Sequence, residues 1–385
     1  MRLSLTKTIS KNKENENMNL PDDYRPYSDK YFLRTKEILE TKDMNPYVKC
    51  RIFIRKGPGK VEGLKESQEL IKKFVPNRSH IKIFSLTDGD TYQPGETIME
   101  IMAPAIDIVA LETLYLGIIS CRTTMFNDKK EVNLFSVRDK VSQIKHMIGS
   151  RPLIYMGARH WIWEDDAAIA KACFEAGADA TSTDIGASQN GVDSRGVGTI
   201  PHFLENIMSY YFGNRKAVSM ATSLFDEVID KTVPRIALVD YDNHEVDDTM
   251  ITMDLLKDKL SGIRIDTCGE NIMQGSMYNH TDEGFKFGRG VVVTGVESVR
   301  RAAGEKLPIT LSSGFANPAK VKAFVDYEKA RNIRLFNSIG AGALFDSRCA
   351  TMDIFQVGED PNNMDYISKA GRDYKISNVR LKRVL

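Results

Sequence analysis

From about Val132 onward, short apolar runs that end in polar or glycine residues alternate with helical segments. The runs are LIYMGAR, ADATSTD, IALVDYD, GIRIDT, ITLSSG and IRLFNSIG, with helices such as EDDAAIAKACFEAG and GVESVRRAAGE between them. This alternation demands a parallel sheet with crossover helices, and six or more such units favour a closed or nearly closed barrel over an open sheet. The expected fold class is therefore α/β, with an irregular (β/α) barrel over residues 131–345.

The first part of the chain reads differently. YFLRTKEILE suggests a strand passing into a helix, and KCRIFIRK (49–56) alternates like a half-buried strand. GPGK marks a turn, VEGLKESQELIKKF has helical spacing, IKIFSL suggests a short strand, and TYQPGETIMEIMAP suggests a turn and a strand ending at a proline. DIVALETLYLGIISC (107–121) is apolar on almost every side, which predicts a buried helix. These signals predict an N-terminal α/β sandwich domain over 21–130. The strand-like segment from ATMDIFQVGED to YKISNVRLKRVL (346–385) is expected to pack back on it.

Bulk properties exclude several classes. A net charge of +1 over 385 residues leaves no electrostatic footprint for nucleic acid. The five cysteines are scattered without a CxxC pair, which predicts reduced thiols and neither a disulfide framework nor a zinc site. No apolar run reaches membrane-spanning length, and MRLSLTKTISKNKENENMNL lacks the apolar core of a secretory signal. A flexible extension over 1–20, with Met1 and Met18 as alternative starts, and a cytoplasmic location are expected.

In a parallel barrel the working residues stand at the C-terminal ends of the strands. Those ends offer Arg159 and His160, then Ser182 and Thr183, then Asp240, then Arg264 and Asp266. The last two offer Ser312, Ser313 and Gly314, and Gly340, Ala341 and Gly342. Small residues that open onto helices let backbone N–H groups face a phosphate, although tight turns use the same residues. Asp240 and Asp266 are suited to a ribose diol, a magnesium ion or a developing positive charge; helix capping, or pairing with Arg264, is the alternative. Arg159 is placed to clamp a substrate carboxylate, or else to pair with Glu164 or Asp165. His160, Trp161 and Trp163 read as packing residues. In GVGTIPHFLEN, His202 sits where a loop hands over to a helix.

These segments together resemble the type II phosphoribosyltransferases, and among them a nicotinate phosphoribosyltransferase of the shorter archaeal-type branch. The resemblance runs from Ser28 to Gly358. It is carried by SDKYFLRTKEIL, LETLYLGIIS, GARHWIWEDDAAIAKACFEAGADATSTDIGAS, GVGTIPH, IALVDYD, GIRIDT, ITLSSGF and IGAGALF in that order. It implies that nicotinate and phosphoribosyl pyrophosphate give nicotinate mononucleotide and pyrophosphate, the first step of NAD salvage. ATP hydrolysis would be coupled through a phosphohistidine at His202. It implies catalytic roles for Asp240 and Asp266, and pyridine contacts from Arg159, Arg264 and Tyr31, the last reaching in from a neighbouring subunit. Ser182 and Thr183 would approach substrate, as would Ser312 and Ala341, and Ser313, Gly314, Gly340 and Gly342 would hold the 5′-phosphate. Magnesium would arrive on the pyrophosphate without dedicated protein ligands, zinc would be absent, and the chain would form a homodimer or larger homo-oligomer. The sequence departs from the family pattern at DYD, SSGF, IGAGA and His160. A decarboxylating quinolinate phosphoribosyltransferase and a non-catalytic nucleotide-binding paralogue are the competing expectations.

Overall fold

Helical spacing of buried side chains decides the first element. The computed structural model describes residues 18–191, 197–277, 284–372 and 378–385. The expected N-terminal extension lies, up to residue 17, outside the described residues, as does Gly196 of the GVGTIPH run. The whole of YFLRTKEILE is helical, in α1 (Lys30–Thr41), because Tyr31, Thr35, Ile38 and Leu39 recur at three- and four-residue intervals on its buried side. Its predicted strand half does not form.

Next come β1 (Tyr47–Ile54), β2 (Gly59–Lys60), α2 (Leu64–Phe74), β3 (Lys82–Ser85), β4 (Thr91–Tyr92) and β5 (Thr97–Pro104). The short α3 (Ala105–Ile108) leads into α4 (Glu112–Asp128). Twelve of the 17 residues of α4 are buried, so it is packed on nearly every side. At Gly117 an added Cβ would lie 2.2 Å from the Trp161 carbonyl oxygen. Only glycine lets α4 come so close to the Arg159–Trp161 segment.

The barrel half follows as α5 (Leu134–Ile148), β6 (Leu153–Tyr155), α6 (Asp166–Glu175), β7 (Ala180–Thr181), α7 (Asp184–Ala187), α8 (His202–Phe212) and α9 (Ala217–Val228). It continues as β8 (Ile236–Leu238), α10 (Glu245–Leu256), β9 (Gly262–Ile265), α11 (Val293–Ala303), β10 (Ile309–Leu311), α12 (Pro318–Arg331) and β11 (Ser338–Ala341). The strands form one sheet in the order β7-β6-β11-β10-β9-β8, with every neighbouring pair parallel. The sheet is parallel, as the alternation predicted, and curls into a half-barrel whose edge strands are β7 and β8. Thr199 extends its β8 edge through a parallel bridge to Ile236. Gly198 makes that approach feasible, since a Cβ there would fall 1.9 Å from the Pro234 oxygen. The strands are shorter than the apolar runs: ADATSTD contributes only Ala180–Thr181, and IRLFNSIG enters the sheet only at Ser338.

The chain then returns. β12 (Ala350–Asp360), β13 (Asn363–Tyr366) and β14 (Lys382–Arg383) join the N-terminal strands in an antiparallel sheet of order β13-β12-β1-β5-β3-β14. Between β13 and β14 the chain crosses the barrel mouth, where the Ala370 N–H donates to the Tyr241 carbonyl at 2.9 Å. No helix among the described residues is long and apolar enough to cross a membrane.

Candidate active site

The barrel mouth and the long strand β12 enclose a cavity of about 250 Å³. Its walls come from three parts of the chain. Strand-end residues Arg159, His160, Asp266 and Ser313 contribute, as do Arg264 of β9 and His202 at the start of α8. The N-terminal region supplies Tyr31, Phe32 and Glu112, and the returning tail supplies Lys369 and Arg372.

His202 is the first residue of α8 and follows Pro201, so no side chain caps the helix. Its Nε2 lies 3.1 Å from Oδ1 of Asp240 and 3.9 Å from the buried Glu205 carboxylate one turn along. Asp240 follows β8, is fully buried, and accepts from Lys369 Nζ through its other oxygen. Burial alone would raise the Asp240 carboxyl, but Lys369 and His202 more than offset it and hold it below the usual range. Burial, followed by the Lys369 charge, pushes His202 below its ordinary value. An ionised Asp240 takes the Nε2 proton as a hydrogen bond, which leaves the Nδ1 lone pair of a neutral imidazole free.

The other end of the cavity is aromatic. Tyr31 and Phe32 pack edge to face with centroids 4.5 Å apart. Arg159 Nη1 stands 3.5 Å from Oε1 of Glu112. It does not pair with Glu164 or Asp165; the close approach at Gly117 turns it toward α4 instead. Burial pushes the Glu112 carboxyl up to about 8, only partly opposed by Arg159. His160 is pushed down to about 3 by burial and by the neighbouring Arg159, so it is neutral. Arg264 Nη1 is 3.9 Å from Asp266, whose carboxylate is partly exposed at the cavity edge.

The remaining sequence-selected residues divide. Ser313 lines the cavity, and with Gly314 it takes left-handed backbone angles (φ 64° and 86°) at the turn after β10. The buried ammonium of Lys320 donates to the Ser313 carbonyl at 2.9 Å, and burial lowers this lysine to about 8. Ser312 is held under that turn by its bond to the Ile265 carbonyl, 3.2 Å. Gly340, Ala341 and Gly342 pack against the end of β6: Ala341 pairs with Tyr155, and a Cβ on Gly342 would touch the His160 ring at 3.2 Å. Ser182 and Thr183 face inward, where Ser182 donates to Asp29 and Thr183 donates to Asp166 at 2.5 Å. Neither lies on the cavity wall. Tyr31 lines the cavity of its own chain.

Sequence reasoning passed over Glu112 and Lys369. An acidic residue at the head of an almost apolar helix was a signal for Glu112; Lys369, one of many lysines, carried none. Among the described residues, no group of three or more His, Cys, Asp or Glu side chains is gathered as a metal site. Asp240 has both oxygens engaged, so a cation entering here would find Asp266 as its exposed acidic neighbour.

Residues 29–122 match the family described as quinolinate phosphoribosyl transferase, N-terminal domain. The chain is similar in structure to the nicotinate phosphoribosyltransferase of Vibrio cholerae: TM-score 0.62, 15% identity, covering 93% of this chain and 92% of that one. It is also similar to that of Porphyromonas gingivalis: TM-score 0.60, 16% identity, covering 90% and 93%. A Saccharomyces cerevisiae protein described as a nicotinate phosphoribosyltransferase aligns with TM-score 0.63 and 12% identity, covering 91% and 96%. No curated protein matches the sequence. The fold is that of these solved nicotinate phosphoribosyltransferases.

Proposed function

We propose that this type II phosphoribosyltransferase fold carries a nicotinate phosphoribosyltransferase coupled to ATP through a phosphohistidine at residue 202. The observation that carries the reading is the meeting, in one cavity, of a neutral nucleophilic imidazole with an arginine-bearing aromatic end.

Arg159 and Arg264 are the groups suited to the ring carboxylate, and Tyr31 and Phe32 wall the ring. The pyridine nitrogen attacks C1′ of phosphoribosyl pyrophosphate, the C1′–O bond breaks, and pyrophosphate leaves. Positive charge develops on the sugar, and Asp266 at the cavity edge opposes it electrostatically. The turn at Ser313–Gly314, with Lys320 beside it, is the candidate holder of the 5′-phosphate. Magnesium enters as part of the pyrophosphate substrate.

His202 supplies the energy coupling. Its Nδ1 attacks the γ-phosphorus of ATP, ADP departs, and water later takes the phosphoryl group from nitrogen. The uncapped first turn of α8 favours the negative charge placed there. The reading also includes a homodimer or larger assembly.

Quinolinate is the second reading, because the N-terminal domain matches the quinolinate family. Nicotinate comes first because three solved structures that align over nine-tenths or more of this chain, with TM-scores of 0.60 to 0.63, are described as nicotinate phosphoribosyltransferases. Supplying nicotinate, nicotinamide and quinolinate in parallel, with and without ATP, decides between them. Nicotinate mononucleotide from nicotinate, raised by ATP, is expected; carbon dioxide release from quinolinate alone would select the other enzyme. Label from γ-labelled ATP should appear on the protein and vanish in His202→Ala; labelling that survives removes His202 from the role.

A further inference from the structure

Lys369 belongs to neither the barrel nor the N-terminal domain, yet it is among the most deeply placed charges in the cavity. It is 5% exposed and reaches Asp240 across 129 residues of sequence. Its backbone is pinned through the next residue, Ala370. The Ala370 N–H donates to the Tyr241 carbonyl at 2.9 Å, and the Asn271 side chain donates to the Ala370 carbonyl at 2.9 Å. The lysine is therefore held against the ends of β8 and β9. Its Nζ also lies 3.5 Å from the Asp266 carbonyl.

We propose that Lys369 is a positioning residue for His202, holding Asp240 by one oxygen so that the other keeps the imidazole neutral with Nδ1 turned to the cavity. The proposal rests on the reading of His202 as the phosphoryl acceptor. The charges around His202 explain why a cation is needed. Glu205 faces it from its own helix, Asp240 from the end of β8, and Asp266 from the end of β9, whereas Arg264 stands farther along the wall. Asp240 and Asp266 favour the imidazolium, which has no lone pair to offer phosphorus, whereas burial pushes Glu205 well above its ordinary value and leaves it uncharged. An ammonium bonded directly to Asp240 opposes that tendency from the far side of the same carboxylate. Burial acts in the same direction, and His202 is displaced toward the neutral form. The geometric effect is separate. With Oδ2 engaged by Lys369, only Oδ1 remains for the imidazole, so the ring is held in one tautomer and one orientation.

The test uses the full-length protein with nitrogen-15-labelled histidine. The His202 signals are assigned by their loss in His202→Gln. Ring titration by NMR is compared in wild type, Lys369→Met and Lys369→Arg, alongside the rate of protein labelling from γ-labelled ATP. In Lys369→Met, His202 should protonate at a higher pH than in wild type and lose its single tautomer. Its labelling rate should fall about tenfold near pH 6.5 and recover toward alkaline pH, as a shifted protonation equilibrium requires. Lys369→Arg should keep the wild-type titration. An unchanged His202 titration in Lys369→Met, or a labelling loss of the same size at every pH, overturns the proposal. If Lys369→Met fails to fold, Lys369→Gln keeps a hydrogen-bond donor for Asp240 without the charge, and there His202 must still protonate at a higher pH than in wild type. The titration needs no substrate. A shifted titration in a protein that transfers phosphoribose to no pyridine acid would overturn the enzymatic assignment and leave the positioning of His202 standing.

Discussion

At one end of the cavity Glu112 has a single charged partner, Arg159, at 3.5 Å; at the other, Asp240 has two, His202 at 3.1 Å and Lys369. Both carboxyls are buried, and desolvation opposes ionisation of each. At Glu112 desolvation prevails and the group is pushed up to about 8. At Asp240 the two partners prevail and the group stays ionised. A buried carboxyl keeps its charge only where direct hydrogen bonds and opposite charges together exceed what water supplied. The consequence is a division of labour. The Asp240 end is a committed ion network that holds the His202 imidazole. The Glu112 end is nearly neutral on its acidic side at pH 7, so Arg159 keeps a charge to offer a substrate anion.

Removing the committed carboxylate tests this contrast most severely. Asp240→Asn leaves the Lys369 ammonium without its anion, and breaking a buried pair in this way should destabilise the fold by about 3–5 kcal/mol. Glu112→Gln replaces a mostly protonated acid by an amide of the same shape and should change stability by less than about 1 kcal/mol. Urea melts of the two variants measure both, and equal losses would erase the distinction.

At the substrate end, Arg159→Ala should raise KM for nicotinate about tenfold to a hundredfold, the worth of a charge-assisted bond, with a smaller effect on kcat. Steady-state kinetics at saturating phosphoribosyl pyrophosphate read the split. Arg159→Lys should recover only part of the loss, since an ammonium lacks the planar fork.

A smaller effect sharpens the charge assignment at Glu112. Its carboxyl is raised to about 8, so it is largely protonated at pH 7 and becomes an anion as pH rises through that value. The new charge sits 3.5 Å from Arg159 and competes with the substrate carboxylate. Nicotinate affinity should therefore weaken above pH 8 in wild type, and Glu112→Gln should flatten that limb. Calorimetric titration across pH provides the check, and an alkaline limb that survives in the variant would place its origin elsewhere.

Smallest is the effect at Ser182, which serves Asp29 behind the wall. Ser182→Ala should lower stability by about 1 kcal/mol and leave KM for nicotinate unchanged, because the lost bond is structural. A raised KM with unaltered melting would return Ser182 to the substrate.

Much of the barrel was legible because its signal is local. A run of Ile, Leu and Val between helical segments becomes a buried strand wherever the chain goes, and the strand's polar end must then face the rim. That logic led to Arg159, Asp266 and Ser313, all of which line the cavity. Ser182 and Thr183 stand off the cavity wall for a reason the same logic contains. The strand before them is only two residues long, so their side chains fall back onto Asp29 and Asp166. The glycines after β11 were selected for what backbone amides can do, but here their small size serves packing against Met156 and His160.

The sequence by itself determined the alternation of strand and helix, the buried character of α4, and the placing of His202 at a helix start, because each depends on neighbours within a turn or two. Only the tertiary structure decided which charges meet. Lys369 reaches Asp240 over 129 residues, and Glu112 meets Arg159 over 47. Whether an acid buried by folding is ionised depends on those distant partners, and no local pattern encodes them.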